Sequence, residues 1–185
     1  MSNPFQFKQF TVHQDKCAMK VCTDSCLFGA WINSLIQKHP YKSALDIGTG
    51  TGLLSLMASQ GNHLKIDAIE IEENATLQAK ENVSASVWRN LIHVYHTPIQ
   101  EFIPLKTYDV IFSNPPFFEN DLMSTNAEKN AAKHHTGLTL EVLAHFISGH
   151  LSSQGIAMVL LPFHRLVYFE KILLAKKLFI EEIIL

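Results

Sequence analysis

Alternating glycines and an acidic residue mark the first candidate site in the sequence. The glycines follow the apolar stretch 43–47 at every second position: Gly48, Gly50 and Gly52. Glycines after a buried parallel strand let the backbone approach a ligand closely, at the sheet edge where α/β proteins bind ligands. Glu70 ends the next apolar stretch, where a carboxylate can accept both hydroxyls of a ribose. An ordinary tight turn would explain the glycines alone, but together with Glu70 they predict a nucleotide-containing ligand.

The spacing of these glycines disfavours two common nucleotide motifs. A dinucleotide-binding loop has its third glycine one position later, where this chain has Leu53. A phosphate-binding P-loop ends in Gly-Lys-Ser/Thr, and no lysine follows Gly52. NAD and ATP are therefore not the predicted ligands.

The second motif is Asn114-Pro115-Pro116-Phe117, which follows the apolar stretch 108–113. Two prolines restrict the turn and fix the carbonyl groups before them. The side-chain oxygen of Asn114 and the carbonyl of Pro115 could accept the two hydrogens of an amino group. The ring of Phe117 could stack on a planar substrate. As a generic turn Asn-Pro-Pro would be unremarkable, but at the end of a strand of this sheet it predicts a site for a planar amine.

These motifs lie on a regular alternation of strands and helices. Strand-like runs, most without strict polar alternation, cover 43–47, 64–71, 91–95, 108–113, 156–161 and 179–185. Helical patterns cover 53–60, 73–84, 138–151 and 164–178. Uniformly apolar strands are typical of parallel sheets covered on both faces. The order predicts a doubly wound, mostly parallel, Rossmann-like α/β sheet with helices on both faces.

Residues 1–40 carry a different pattern and form the predicted N-terminal segment of one domain spanning 1–185, with the core at 41–185. An aromatic and polar opening leads into a predicted helix through Leu27, Trp31 and Leu35, with Thr23 or Asp24 as its N-cap. A chain of 185 residues with 47% hydrophobic residues can bury a sizeable core as a single domain.

Composition excludes several classes of protein. A net charge of −2 argues against coating nucleic acid by charge alone, while a local basic patch remains compatible with it. The sequence shows no membrane span and no signal peptide, so we expect a cytoplasmic protein. Cys22 and Cys26 have the spacing that opens a radical iron–sulfur motif, but Gly29 stands where that motif has its third cysteine. We expect no metal site at the three cysteines or the ten histidines, and no disulfide. We expect a monomer.

The loop pattern Asp-x-Gly-x-Gly-x-Gly at 46–52 resembles that of class I S-adenosylmethionine-dependent methyltransferases. The Asn-Pro-Pro-Phe turn is similar to the motif of enzymes that methylate amino groups on adenine, guanine, cytosine or protein glutamine. The resemblance implies S-adenosylmethionine as cofactor, with Asp46 near its ammonium group and Glu70 on its ribose. Residues of the loop and two further elements complete the implied cofactor site: Gly48, Thr49, Gly50, Gly52, Thr97 and Asn114. Thr97, or Gln100, stands where such enzymes often carry an acid against the adenine.

The N-terminal segment and a second stretch at 131–135 resemble the bacterial tRNA(Val) adenine-37 N6-methyltransferase family. The resemblance rests on Phe7-Lys8-Gln9-Phe10, Thr23-Asp24-Ser25 and Ala131-Ala132-Lys133-His134-His135. It implies a segment folded over the cofactor, with Lys20 and Thr23 in the pocket. A solvated lysine and a helix cap are the alternatives for those two residues. The family fold continues into a seventh strand, so we expect a truncated C-terminal strand region with an unpaired apolar edge.

The resemblance favours methylation of adenine N6 in a tRNA anticodon loop. Contacts with RNA phosphates are predicted for a basic segment after the Asn-Pro-Pro-Phe turn: Lys129, Lys133, His134 and His135. A solvated loop is the alternative. Lysines of the N-terminal segment could border the same opening: Lys8, Lys16 and Lys20. Other hypotheses are a protein-glutamine N5-methyltransferase, another nucleic-acid amino methyltransferase, or an inactive protein that binds the cofactor or RNA.

Overall fold

Five parallel strands form the central sheet of the protein in a computed structural model that describes residues 3–116 and 138–185. The strands of this sheet are β3 Ser43–Ile47, β4 Lys65–Glu70, β5 Ile92–His96, β6 Tyr108–Ser113 and β7 Leu151–Val159. Their order across the sheet is β5-β4-β3-β6-β7. Strand order reverses between β3 and β6, which is the switch point where doubly wound sheets bind ligands. The predicted fold class is confirmed.

Helices cover both faces of this sheet. They are α1 Thr23–Ile36, α2 Leu53–Ala58, α3 Glu73–Ser84, α4 Leu140–His150 and α5 Leu166–Ala175, the last preceded by a short 3-10 turn at Phe163–Arg165. Successive side chains of a strand point to opposite faces. Ala44 and Phe112 accordingly pack in the cluster with α1 and α2, whereas Leu45 and Ile111 pack with α4 and α5. None of the helices in the described ranges is long and apolar enough to cross a membrane.

A short hairpin precedes α1 and packs on the sheet through aromatic rings. Strands β1 Phe5–Gln6 and β2 Thr11–Val12 pair antiparallel. Phe7 stacks on Phe10 with ring centroids 4.5 Å apart, and Phe10 meets the edge of Trp88 at 5.8 Å. These contacts attach the N-terminal segment to the core beside α3.

The N-cap of helix α1 lies at least one residue before the predicted position. Cys22, in extended conformation, is the N-cap, so the prediction of Thr23 or Asp24 was wrong. The reason is the hydroxyl of Ser25, which accepts a hydrogen bond from the Cys22 N–H at 3.1 Å. That bond satisfies a backbone donor at the helix start and lets Thr23 adopt helical geometry.

The predicted strand at 179–185 is also wrong. These residues have no regular secondary structure, and Phe179 and Leu185 are exposed. An apolar run becomes a strand only where a neighbouring strand accepts its backbone hydrogen bonds. Within the described residues β7 pairs with β6 alone and lies at the edge of the sheet. Strand β7 itself begins at Leu151, earlier than the predicted residue 156, directly after α4.

Candidate active site

The glycine loop between β3 and α2 requires glycine at each of its three alternating positions. The φ angles are +74° at Gly48, +56° at Gly50 and +82° at Gly52, in the left-handed region that disfavours other residues. The Gly48 and Thr49 N–H groups both donate to the Ile69 carbonyl, at 2.9 and 3.0 Å, and tie the loop to β4. A Cβ on Gly50 would meet no described atom within 4 Å, so the top of the loop is open.

Asp46 lies fully buried beneath this loop. One carboxylate oxygen, Oδ2, accepts hydrogen bonds from the Thr49 and Ser55 hydroxyls at 2.6 and 2.7 Å. The other, Oδ1, is buried without a hydrogen-bond partner among the described residues. Burial raises the pKa of Asp46 from 3.8 to about 6, and the charge of Glu70 adds to the rise. A buried unpartnered acceptor is costly, so Oδ1 fits a cationic or N–H donor of a ligand.

Glu70 joins the end of β4 to the glycine loop. Its Oε2 accepts the Gly50 N–H at 2.9 Å. Its Oε1 accepts the N–H groups of Ile71 and Glu72 at 2.9 and 3.0 Å. Three backbone donors therefore fix the carboxylate and occupy three of its roughly four acceptor positions, which leaves one position, on Oε2, for a hydroxyl donor.

Strand register places Asp46 and Glu70 on one face of the sheet. Asp46 pairs with Ala68 of β4. Glu70 follows Ala68 by two residues, and side chains two apart on a strand share a face. Asn114 comes directly after Ser113, the last residue of β6, which pairs with Ile47 of β3. All three lie at or just beyond the carboxyl ends of their strands, on both sides of the switch point.

Asn114 carries the second unpartnered oxygen of the site. Its Oδ1 is buried with no hydrogen-bond partner among the described residues. Its amide nitrogen lies 3.9 Å from the sulfur of Met19. The Ser113 hydroxyl donates to the Ile47 carbonyl at 2.8 Å and fixes the strand end before the turn. Pro115 is buried and Pro116 exposed.

Asn82 of α3 links the N-terminal segment to the glycine loop, and the sequence motifs did not indicate it. Its Oδ1 accepts the His13 N–H at 2.9 Å, while its amide nitrogen donates to the carbonyls of His13 and Thr51, both at 2.8 Å. Asn82 is 1% exposed. The sequence shows only a polar residue on a predicted helix, and the burial of Asn82 is visible in the structure alone. Gln78, one turn earlier, accepts the Lys16 N–H at 3.2 Å.

Three further residues predicted for the cofactor pocket, Lys20, Thr23 and Thr97, lie in different surroundings. The ammonium of Lys20 donates to the carbonyls of Gln14 and Cys17, within its own loop. Thr23 is exposed in the first turn of α1. The Thr97 N–H donates to the Glu70 carbonyl at 2.9 Å, which places Thr97 beside the acidic residue. Cofactor contact by all three stays a prediction.

The remaining predicted site residues lie outside the described residues: Phe117, Lys129, Lys133, His134 and His135. Within the two described ranges no group of three or more histidine, cysteine or acidic residues could hold a metal ion. Cys17 is buried and Cys22 exposed. Burial raises the pKa of the Cys17 thiol to about 11, with a smaller contribution from Glu70.

Comparison with known proteins gives consistent matches. The family model described as "Methyltransferase small domain" matches residues 30–137. A Dyadobacter fermentans protein named tRNA1(Val) (adenine(37)-N6)-methyltransferase is 48% identical over 159 residues, covering 85% of this chain and 65% of the relative. A Cytophaga hutchinsonii protein of the same name is 44% identical over 172 residues, covering 91% and 71%. The chain thus spans about two thirds of the length of these relatives.

Solved structures agree on the fold. The S-adenosylmethionine-dependent methyltransferase from Agrobacterium tumefaciens superposes with a TM-score of 0.69 at 15% sequence identity. The match covers 95% of this chain and 57% of that protein. At this identity the likeness concerns the fold.

Proposed function

Because the chain belongs to the methyltransferase small domain family and to the tRNA1(Val) (adenine(37)-N6)-methyltransferase family, we propose that it methylates adenine N6 in a tRNA anticodon loop. The methyl donor is S-adenosylmethionine. The observation that carries the choice of an amine is the buried, unpartnered Oδ1 of Asn114, which follows β6 directly at the carboxyl edge of the sheet. A tRNA substrate would place the protein in the cytoplasm.

The residues present fit this cofactor. Asp46 Oδ1 is an unused buried acceptor suited to an ammonium donor, and Glu70 is a fixed carboxylate suited to ribose hydroxyls. The open top at Gly50 leaves space for a ligand against the backbone. When bound, S-adenosylmethionine supplies an electrophilic methyl group on a sulfonium.

Asn114 and Pro115 act on the substrate amine. The lone pair of an adenine amino group is delocalised into the ring, which makes the nitrogen a poor nucleophile. The Asn114 side-chain oxygen and the Pro115 carbonyl each accept one amino hydrogen and so orient the lone pair. No strong general base is then required, because orientation and stabilisation of developing charge account for catalysis. The released proton passes to water.

An anticodon loop suits such a site. A base in a single-stranded loop can be turned out of its stack at lower cost than a base in a duplex. The amino group can then reach the carbonyl oxygens at the carboxyl edge of the sheet. Phe117 is proposed to stack on the base, and Lys129, Lys133, His134 and His135 to contact RNA phosphates.

The test is mass spectrometry of nucleosides from tRNA incubated with the purified protein and S-adenosylmethionine carrying a labelled methyl group. We expect labelled N6-methyladenosine with the wild type and little with Asn114→Ala. Nucleosides from host tRNA with and without the gene provide the matching cellular measurement. Unlabelled tRNA together with a labelled glutamine in added protein would instead favour the glutamine-methylating hypothesis.

A further inference from the structure

A depression of about 390 Å³ lies between helix α3 and the outer edge of strand β5. It is shallow and largely open to solvent, so it offers a contact surface for a large ligand instead of an enclosed cleft. Lys80 and Ser84 line it from α3, and Arg89, Asn90 and His93 line it from the start of β5 and the residues before it. None of its described lining residues is acidic.

Lys80 and Arg89 are available for an external anion. Both are exposed, and neither takes part in an ion pair among the described residues, where the pairs are Lys16–Glu81 and Lys106–Asp67. Glu81 is next to Lys80 on α3, but it is already paired with Lys16 and so does not neutralise Lys80. The depression therefore combines two uncompensated cations on a chain of net charge −2.

Polar donors surround the two cations. Ser84 offers a hydroxyl and Asn90 an amide, both exposed. Strand β5 is the outermost strand and pairs with β4 alone within the described residues, so backbone groups on its outer side have no strand partner. Basic, hydroxyl, amide and backbone donors are the groups with which proteins contact nucleic-acid phosphates and sugars.

The depression is separate from the candidate active site. Helix α3 begins at Glu73, close to Glu70 at the carboxyl edge, and runs back along the sheet. Lys80 lies seven residues further on, which at 1.5 Å per residue is roughly 10 Å along the helix. None of Asp46, Glu70 and Asn114 lines the depression, which is therefore a different surface from the candidate active site.

We propose that this depression binds backbone phosphates of the RNA substrate, away from the target base. The proposal rests on the proposed function, because a polyanionic substrate that extends past the active site is what would reach Lys80 and Arg89. Net charge gives this chain no general attraction for RNA, so affinity has to come from such local contacts. These contacts carry no base specificity and fix the position of the RNA on the protein.

The test compares two double variants of the full chain. Lys80→Gln with Arg89→Gln removes the cations of the depression. Lys38→Gln with Lys171→Gln removes the same charge from two exposed positions elsewhere. Binding to a full-length tRNA transcript is measured by fluorescence anisotropy across a salt series. We expect about tenfold weaker binding for the first variant and a salt slope shallower by about 1.4 to 1.8. We expect no such change for the second.

Two further measurements separate the possible failures. Lys80→Arg with Arg89→Lys keeps both charges and should bind tRNA nearly as the wild type does. The proposal would be overturned if Lys80→Gln with Arg89→Gln bound tRNA as the wild type does. It would also be overturned if both glutamine variants lost the same affinity and salt slope. Cofactor affinity, measured by calorimetry, should be the same in all variants. Methylation of tRNA by the wild type tests the proposed function itself, so a failure there is distinguishable from a failure at the depression.

Discussion

The sulfur of Met19 lies 3.9 Å from the amide nitrogen of Asn114, while the amide oxygen of Asn114 is buried without a partner among the described residues. A thioether is a weak acceptor, so it satisfies the donor side of the amide at low strength. The acceptor side is then left for a donor from outside the chain. The N-terminal segment thereby contributes to the orientation of the residue proposed to bind the substrate amine.

Substitution of Asn114 should reduce turnover more than cofactor affinity. Asn114→Ala removes one acceptor for the amino hydrogens, and a loss of roughly 100-fold in kcat, about 2.7 kcal/mol, is expected for one oriented hydrogen bond. Asn114→Asp retains an acceptor oxygen and should lose less. Steady-state methylation of tRNA and calorimetry with S-adenosylmethionine measure the two quantities. A fully active alanine variant would contradict the orientation mechanism.

Gly50→Arg should abolish cofactor binding. The φ angle of +56° disfavours any side chain at this position, and the added side chain would enter the open space above the loop. Calorimetry with S-adenosylmethionine provides the measurement, with circular dichroism to verify the fold. The matched control is Gly149→Arg in α4, where a Cβ also meets no described atom within 4 Å. Unchanged affinity in folded Gly50→Arg would remove the loop from the proposed cofactor site.

Asn82→Ala should weaken both stability and cofactor binding. Asn82 makes three hydrogen bonds, two to His13 and one to the Thr51 carbonyl in the glycine loop. Their loss leaves the buried Thr51 carbonyl without this donor and frees the exposed His13 backbone, at a cost of about 1–3 kcal/mol in the free energy of unfolding. Gln78→Ala is the control, because Gln78 holds the N-terminal segment at Lys16 without contacting the loop. It should lower stability and leave cofactor affinity nearly unchanged, whereas equal affinities in the two variants would argue against a link through Asn82.

Local patterns predicted most of the fold. Helix α3 and strands β3 and β6 have the predicted bounds, since each carries an uninterrupted pattern between clear breaks. The glycine loop and the Asn-Pro-Pro-Phe turn predicted the methyltransferase class and its cofactor, and the N-terminal segment with residues 131–135 predicted the family. The comparisons confirm the class, the cofactor and the family. Short local motifs were enough to locate the site, because the carboxyl ends of the parallel strands that carry them lie at the same edge of the sheet.

Contacts between distant positions could not be predicted from those patterns. Ser55 on Asp46 and Asn82 on the N-terminal segment depend on how helices pack, and no local spacing encodes that. The C-terminal strand failed for a related reason. The run at 179–185 has strand-like composition, but a strand also needs a neighbour, and composition does not supply one.

The buried carboxyl of Asp46 should make both stability and cofactor binding depend on pH. Its pKa is raised from 3.8 to about 6, so the folded state holds this proton more tightly than the unfolded state. The contribution to stability is therefore fully present below about pH 4 and declines as pH rises through 6, by an amount of the order of 3 kcal/mol. An ammonium donor at Oδ1 favours the ionised form, so cofactor affinity should instead rise over the same range. Calorimetry with S-adenosylmethionine and denaturant unfolding from pH 4.5 to 7.5 measure the two trends. Asp46→Asn should flatten both curves, and parallel curves for the two proteins would mean that another group is responsible.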